Sequence, residues 1–157
     1  MDIETQKALA EQALAALDER GELMLVDIAV AKLCGWHVKP NGERNVDALF
    51  DPQNECCFRF TGWRDALKEW IGSAATDFNA AARLPLPENF VWQLTIRAFS
   101  AIAIIGLDGD IYDSRPDRSA FLFRGNNEEQ ARTGAWLKMV ATIGLPEVSE
   151  FVFDEKG

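Results

Sequence analysis

The chain has 157 residues, 48% of them hydrophobic and 10% aromatic, a length and composition that predict one domain with its own core. Its 16 basic and 25 acidic residues give a net charge of -9, which repels phosphate, so we expect no direct binding to nucleic acid. No apolar run reaches the roughly 18 residues that a membrane helix needs, so we expect no membrane partner.

The three cysteines, Cys34, Cys56 and Cys57, predict a reducing compartment. An odd count with two adjacent residues is a poor disulfide framework, and no C-x-x-C spacing is present for zinc. Asp2 and Glu4 precede any apolar run, so the sequence does not open like a signal peptide. We therefore expect a cytoplasmic protein whose cysteines are small buried side chains.

The first 35 residues predict a helical hairpin. Asp2 is placed to cap a helix that runs to about residue 20, where Gly21 ends it. A second helix follows at once, with apolar residues at helical spacing from Val26 to Leu33 and Gly35 as its stop.

Residues 36–123 predict a sheet region with inserted helices. Period-2 runs and turn residues such as Asn41-Gly42 predict strands at 36–40, 47–50 and 56–60. Apolar residues at a spacing of three and four then predict a helix over 63–71, which Gly72 ends.

The stretch from 73 to 97 organises the rest of the predicted sheet. Thr76 is placed to cap a short helix, with Asp77 in the first turn and Phe78 on its apolar face. From Trp92 onward apolar and polar residues alternate, which predicts a strand buried on its tryptophan side. The other side carries Arg97, so part of that face is expected to be open.

The remaining elements predict two more strands and a closing helix. A continuous apolar run at 101–107 predicts a strand buried on both faces, with Tyr112 on a return strand after a turn at Asp108-Gly109. A last strand is predicted at 120–123. Asn127 is placed to cap the C-terminal helix over 127–143, and Gly144 to end it before a tail at 147–157.

Strands of mostly antiparallel connection, with helices before, between and after them, predict the α+β class. We expect residues 1–157 to form a single domain with helices on both faces of the sheet, an α-β-α sandwich.

Two segments resemble a known family. The helix end Val30-Ala31-Lys32-Leu33-Cys34-Gly35-Trp36 is similar to the V-A-x-x-V-M-G-W opening of the phage ABA-sandwich domain, a family of small phage and prophage proteins. The run Ala75-Thr76-Asp77-Phe78-Asn79-Ala80-Ala81-Ala82 resembles its Y-S-T-D-I-A-A-A-W segment, although Arg83 stands where the family has tryptophan. The resemblance implies an α-β-α sandwich and a bacterial host cell, and it implies no reaction.

Catalytic and metal-binding patterns are poorly matched. His37 is the only histidine, and it could serve a nucleophile such as Cys56 or Cys57 only if the predicted hairpin brings them together. Asp108, Asp110 and Asp113 do not follow the calcium-loop pattern. We expect no catalytic residue, no metal and no cofactor.

Aromatic and cationic residues form the most informative set, because aromatic rings stack on a base and arginine binds phosphate. The candidate ligand-binding residues are Trp36, His37, Trp63, Arg64, Thr76, Asp77, Trp92, Arg97 and Tyr112. On an open sheet face they could hold a small anionic nucleotide.

These observations favour a non-enzymatic phage or prophage accessory protein that acts by binding, against a host defence or regulatory system. Its partner would be a small anionic nucleotide that it sequesters, or a basic host protein that it inhibits through its acidic surface. Two alternatives stay open. One is a small hydrolase or transferase that uses His37; the other is a structural or assembly subunit that forms a homo-oligomer through Phe151 and Phe153.

Overall fold

The computed structural model describes residues 1–19, 22–42, 46–107 and 120–145. The helices are α1 (Ile3–Asp18), α2 (Leu23–Leu33), α3 (Trp63–Ala66), α4 (Phe78–Ala82) and α5 (Glu128–Ile143). A π-helical turn, Leu67–Ile71, continues α3 directly, and we call it the π turn.

The strands of the described residues form two three-stranded antiparallel sheets. The first sheet contains β1 (His37–Asn41), β2 (Val46–Phe50) and β3 (Cys56–Arg59), in that order. The second sheet contains β4 (Phe90–Ile96), β5 (Ala101–Leu107) and β6 (Phe121–Gly125), also in chain order. The predicted α+β class with antiparallel pairing is therefore confirmed, with the strands divided between two sheets.

The main core lies around α5, which packs on α1 on one side and on β5 and β6 on the other. Trp136, Leu137 and Met139 are completely buried in this core. Gly134 sets the distance between α5 and the second sheet, because a Cβ there would overlap the ring of Phe123 on β6. Close approach of a helix to a sheet thus depends on this one missing side chain.

The two faces of the second sheet differ. Ala103 and Ile105 point toward α5 and are completely buried. The register pairs Gln93 with Ile104 and Ile104 with Leu122, so these three share the opposite face. Leu122 is exposed on this opposite face, and Ile102 and Ile104 of β5 are only half-buried there. The sequence predicts β5 to be buried on both faces, but it is well buried only on the face that meets α5.

A smaller cluster lies beneath the first sheet. Leu49 on β2 and Leu67 in the π turn are buried outside the main core. Phe58 on β3 stacks on Trp70 of the π turn, with ring centroids 5.2 Å apart. This stacking brings β3 against the π turn.

One peptide group joins α2, α5 and the turn that precedes α4. The carbonyl of Ala74 accepts a hydrogen bond from Thr133 Oγ1 at 2.9 Å, and the N–H of Ala75 donates to Asp27 Oδ1 at 2.8 Å. Both groups belong to the same peptide bond. Asp27 and Thr133 are the buried polar side chains of the described residues, and both are used to hold this peptide.

The stretch from 73 to 97 differs in detail from its prediction. Asp77, not Thr76, is the N-cap of α4, and its side chain accepts from Asn79 N at 2.8 Å. Phe78 is 49% exposed, although Ala81, three residues further along this short helix, is completely buried. The strand begins earlier, at Phe90, and ends at Ile96, so Arg97 lies in the β4–β5 turn and not on the strand.

The predicted helix ends are confirmed where caps or glycines mark them. Asp2 caps α1 through Thr5 N, and Asn127 caps α5 through Gln130 N. Gly144, at a φ of 71°, ends α5. The predicted acidic turn, Tyr112 and the C-terminal tail lie outside the described residues.

Candidate functional site

The end of α2 places two candidate residues at the surface. Gly35, at a φ of 102°, follows the helix, and its N–H donates to Lys32 O while that of Trp36 donates to Ala31 O. This is the Schellman arrangement, which reverses the chain at a glycine in the left-handed region. Trp36 therefore leaves the helix axis, and His37 begins β1.

A pocket of about 540 Å³ lies where this reversal meets the start of α3. It is lined by Met1, Lys32, Gly35, Trp36, His37, Val38 and Trp63, and we call it the tryptophan pocket. Lys32 Nζ lies 5.5 Å from the centroid of the Trp63 ring, a cation–π distance. Three of the nine predicted ligand-binding residues, Trp36, His37 and Trp63, thus meet in one concave site.

The charge of the tryptophan pocket is opposite to that of the whole chain. Its lining contains the Lys32 ammonium and the His37 imidazole, and no carboxylate among the described residues. Nearby, Lys39 Nζ lies 4.1 Å from the Phe50 ring centroid and donates to Asn54 Oδ1. A protein with a net charge of -9 therefore presents a locally cationic, aromatic concavity.

His37 is held by its neighbours at both ring nitrogens. Nδ1 lies 2.9 Å from Gly35 O, and Nε2 lies 3.0 Å from Asn54 Oδ1. The ring also stacks on Phe50, with centroids 5.6 Å apart. In this arrangement neither nitrogen is directed at a nucleophile.

The cysteines do not complete a catalytic pair with His37. The register pairs His37 with Phe50 and Phe50 with Cys56, so Phe50 stands between the histidine and this cysteine. Burial raises the pKa of Cys34 to about 12, and burial followed by the charge of Asp51 raises that of Cys57. Both shifts favour the thiol over the reactive thiolate.

The other predicted residues lie apart from the tryptophan pocket. Arg64 is exposed on α3 beside Trp63 but outside the lining. Thr76 and Asp77 lie in the turn before α4. Arg97 is exposed in the β4–β5 turn. Tyr112 lies outside the described residues.

The Trp92 side chain contacts other parts of the protein and does not line the tryptophan pocket. It packs against the main core from β4, and the guanidinium carbon of Arg132 lies 5.0 Å from its ring centroid. Arg132 in turn lies 3.8 Å from a carboxylate oxygen of Glu128, one helical turn away on α5. The structure therefore gives Trp92 a place in the core, beside an ion pair.

The sequence patterns do not single out two candidate functional residues that the structure shows. Lys32 supplies the cation of the tryptophan pocket. Asp27 is only 4% exposed, and burial raises the pKa of its carboxyl group to about 6, while its hydrogen bond from Ala75 acts in the opposite direction. The signal in the sequence was a lone carboxylate within the apolar helix run Leu23–Leu33.

Metal and membrane sites find no support in the described parts of the chain. No group of three or more His, Cys, Asp or Glu side chains is placed there to hold an ion. None of the described helices is long and apolar enough to cross a bilayer.

Comparison of the chain with models of protein families, with curated proteins and with solved structures found no match.

Proposed function

We propose that this protein acts by binding, and that the tryptophan pocket holds a small anionic ligand with an aromatic ring, such as a nucleotide. One observation carries the proposal: two tryptophans, a lysine and a histidine converge in a cavity whose described lining residues include no carboxylate, in a chain of net charge -9. A random patch of so acidic a surface would be expected to carry acidic side chains.

The physical properties of the pocket suit such a ligand. Its volume of about 540 Å³ lies within the range of small-molecule sites. Stacking of a base on an aromatic side chain contributes about 1–3 kcal/mol, and Trp63 or Trp36 could provide the platform. Lys32 would face the phosphate, since its ammonium group is a positively charged donor, while both nitrogens of His37 are already used within the protein.

The biological setting that we propose is a phage or prophage accessory protein in the bacterial cytoplasm. There, a protein that binds a nucleotide signal without converting it lowers the free concentration of that signal. The similarity of residues 30–36 and 75–82 to the phage ABA-sandwich domain supports this setting. The use of both His37 nitrogens within the protein supports binding over catalysis.

Titration calorimetry with a panel of mononucleotides, cyclic nucleotides and dinucleotides tests the proposal. We expect at least one nucleotide to bind, with affinity that decreases as salt increases. Lys32→Met should lower that affinity about tenfold by removing the cation while retaining an apolar stem. Trp63→Leu should lower it further. Lys68→Met, an exposed lysine of the π turn outside the lining, is the matched control.

Absence of heat with every nucleotide would reject the sequestration proposal. Equal affinity of wild type and Lys32→Met would place the nucleotide elsewhere. Recovery of the unchanged nucleotide after prolonged incubation separates binding from conversion, which the hydrolase or transferase alternative requires.

A second candidate, inhibition of a basic host protein, is favoured by one surface feature. Phe99 in the β4–β5 turn is 90% exposed and Ile96 at the end of β4 is 64% exposed, which leaves apolar surface at a hairpin tip. Such a tip could insert into a groove of a partner while the acidic surface supplies long-range attraction. Phe99→Ser should then abolish complex formation and leave nucleotide binding unchanged. Indifference of the complex to salt would count against the electrostatic part.

A further inference from the structure

A second cavity lies on the other side of Trp36. It encloses about 280 Å³ between α2, the π turn and α4, and Trp36 lines both this cavity and the tryptophan pocket. Its chemically distinctive lining residues are Asp27, Cys34, Trp36, Trp70, Ala80 and Arg83. We call it the Asp27 cavity.

Asp27 is the buried charge of this cavity. Its Oδ1 accepts the hydrogen bond from Ala75 N, which holds the turn before α4. No hydrogen bond to its second carboxylate oxygen is formed within the described residues. A carboxylate has about four lone-pair sites for hydrogen bonds. The bond from Ala75 N uses one of them, so Asp27 can accept further hydrogen bonds from a ligand in the cavity.

We propose that the Asp27 cavity is a second ligand site, which takes a compact organic amine. The ammonium group would pair with the Asp27 carboxylate, and the apolar body would lie among Trp36, Trp70 and the small side chains of the wall. Charge complementarity is the basis of this assignment, because a buried carboxylate is costly to leave without a counter-charge. Two indole rings in the same wall add cation–π attraction for an ammonium group.

The other polar groups of the wall do not provide that counter-charge. Arg83 is exposed at the rim and its Nε donates to Asn79 O, so water screens its positive charge. The Cys34 thiol stays protonated at neutral pH, since burial raises its pKa. The remaining lining residues are uncharged. An amine is the ligand class that supplies what Asp27 lacks.

The pH response of binding follows from the same geometry. Burial raises the pKa of Asp27 to about 6, so the carboxylate that would attract an ammonium forms above that pH. Amine affinity should therefore increase between pH 5 and pH 7. This inference does not depend on the proposed nucleotide site, although both sites share Trp36.

Three probes of similar size test the proposal: benzylamine, benzyl alcohol and benzoate. Titrations followed by two-dimensional NMR should show shifts at the Ala75 amide and the Trp70 indole. We expect benzylamine to bind at least tenfold more tightly than benzyl alcohol, and benzoate to bind least.

Substitutions then locate the site. Asp27→Asn retains an oxygen that accepts from Ala75 N, and it should remove the preference for benzylamine over benzyl alcohol. Ala80→Leu fills the cavity from α4 without touching the carboxylate, and it should abolish binding of all three probes. Asp65→Asn, which removes an exposed carboxylate on α3, is the control and should leave the preference unchanged.

Several outcomes would overturn the proposal. Equal affinity for benzylamine and benzyl alcohol would show that charge is not recognised. Benzylamine binding that survives Ala80→Leu would place the amine elsewhere. Absence of benzylamine binding at millimolar concentration would leave Asp27 with its structural role alone. If Asp27→Asn fails to fold, the relative affinities of the three probes for the wild type and for Ala80→Leu still test whether an amine binds in the Asp27 cavity.

Discussion

At the scale of single residues, the pKa of Asp27 predicts an unusual dependence of stability on pH. Its pKa is raised from the ordinary value of 3.8 to about 6, so the folded state binds the proton more tightly than the unfolded state. Stability from this group is therefore complete below the unfolded pKa and is lost as pH rises through about 6. The loss amounts to about 3 kcal/mol at neutral pH.

Asp27→Asn tests this sign, because the amide cannot ionise but still accepts from Ala75 N. Urea unfolding should show that the stability of Asp27→Asn relative to wild type increases by about 2–3 kcal/mol from pH 4 to pH 8. The exposed variant Asp65→Asn should show no comparable increase. A relative stability that decreases with pH would mean that Asp27 has a counter-charge in the folded protein.

Thr133 gives a second prediction at this scale. Thr133→Val keeps the side-chain shape but leaves the buried carbonyl of Ala74 without its hydrogen bond. We expect a loss of about 1–3 kcal/mol in the free energy of unfolding, measured by chemical denaturation.

The matched control lies on the same helix. Thr142→Val removes a hydrogen bond of 2.8 Å to Lys138 O on an exposed face of α5, where water replaces the lost donor. Its effect should stay within about 0.5 kcal/mol. Equal effects of the two substitutions would show that the Ala74–Ala75 peptide is not held through Thr133.

At the scale of elements, α5 should reject the substitution that helix propensity favours. Alanine is about 1 kcal/mol better than glycine inside a helix, but a Cβ at Gly134 would overlap the buried ring of Phe123. Overpacking of this kind costs about 1–3 kcal/mol or more when the neighbour cannot move.

We therefore expect Gly134→Ala to lower the melting temperature despite the gain in propensity. Gly42→Ala is the control, since a Cβ at Gly42 meets no atom within 4 Å in the described structure, and it should cause no loss. A stabilised Gly134→Ala protein would indicate that Phe123 moves aside easily.

The element boundaries show which local signals decide structure. Asp2, Asn127 and Gly35 act through hydrogen bonds and φ angles within a few residues, so the sequence predicted them correctly. The sequence pattern predicts Thr76 as the cap of α4, whereas the structure has Asp77. Both residue types are good caps, and the turn is fixed by Asp27 and Thr133, which are distant in sequence. A pattern of neighbours cannot reveal such a tertiary contact.

At the scale of the whole molecule, the candidate site was only partly predictable. Trp36 and His37 are adjacent, and Trp63 joins them because the start of α3 lies against the end of α2. Trp92 lies in the other sheet and Arg97 in its β4–β5 turn, and strand patterns do not encode this division into two sheets. The sequence does not indicate Lys32 as a site residue, because a lysine in the last turn of a helix is already explained by its favourable interaction with the helix dipole.

The division into two sheets also predicts how the molecule opens. The first sheet has the small cluster around Leu49, and its strands contact one another far more than they contact any other described element. Leu49→Ala should cost about 2–5 kcal/mol within this cluster. We expect the loss to appear mainly as local opening, because the main core around α5 does not include Leu49.

Amide hydrogen exchange measures that opening residue by residue. In Leu49→Ala, amides of β1, β2 and β3 should exchange roughly 30-fold faster or more, which corresponds to about 2 kcal/mol, while amides of α5 and β5 change far less. Leu137→Ala in the main core is the contrasting variant and should accelerate exchange in both parts, since it lowers the free energy of global unfolding, which exposes every amide. Uniform acceleration by Leu49→Ala would instead mean that both sheets unfold as one cooperative unit. The tryptophan pocket would then open only when the whole protein unfolds, because it is formed by the first sheet, α2 and α3.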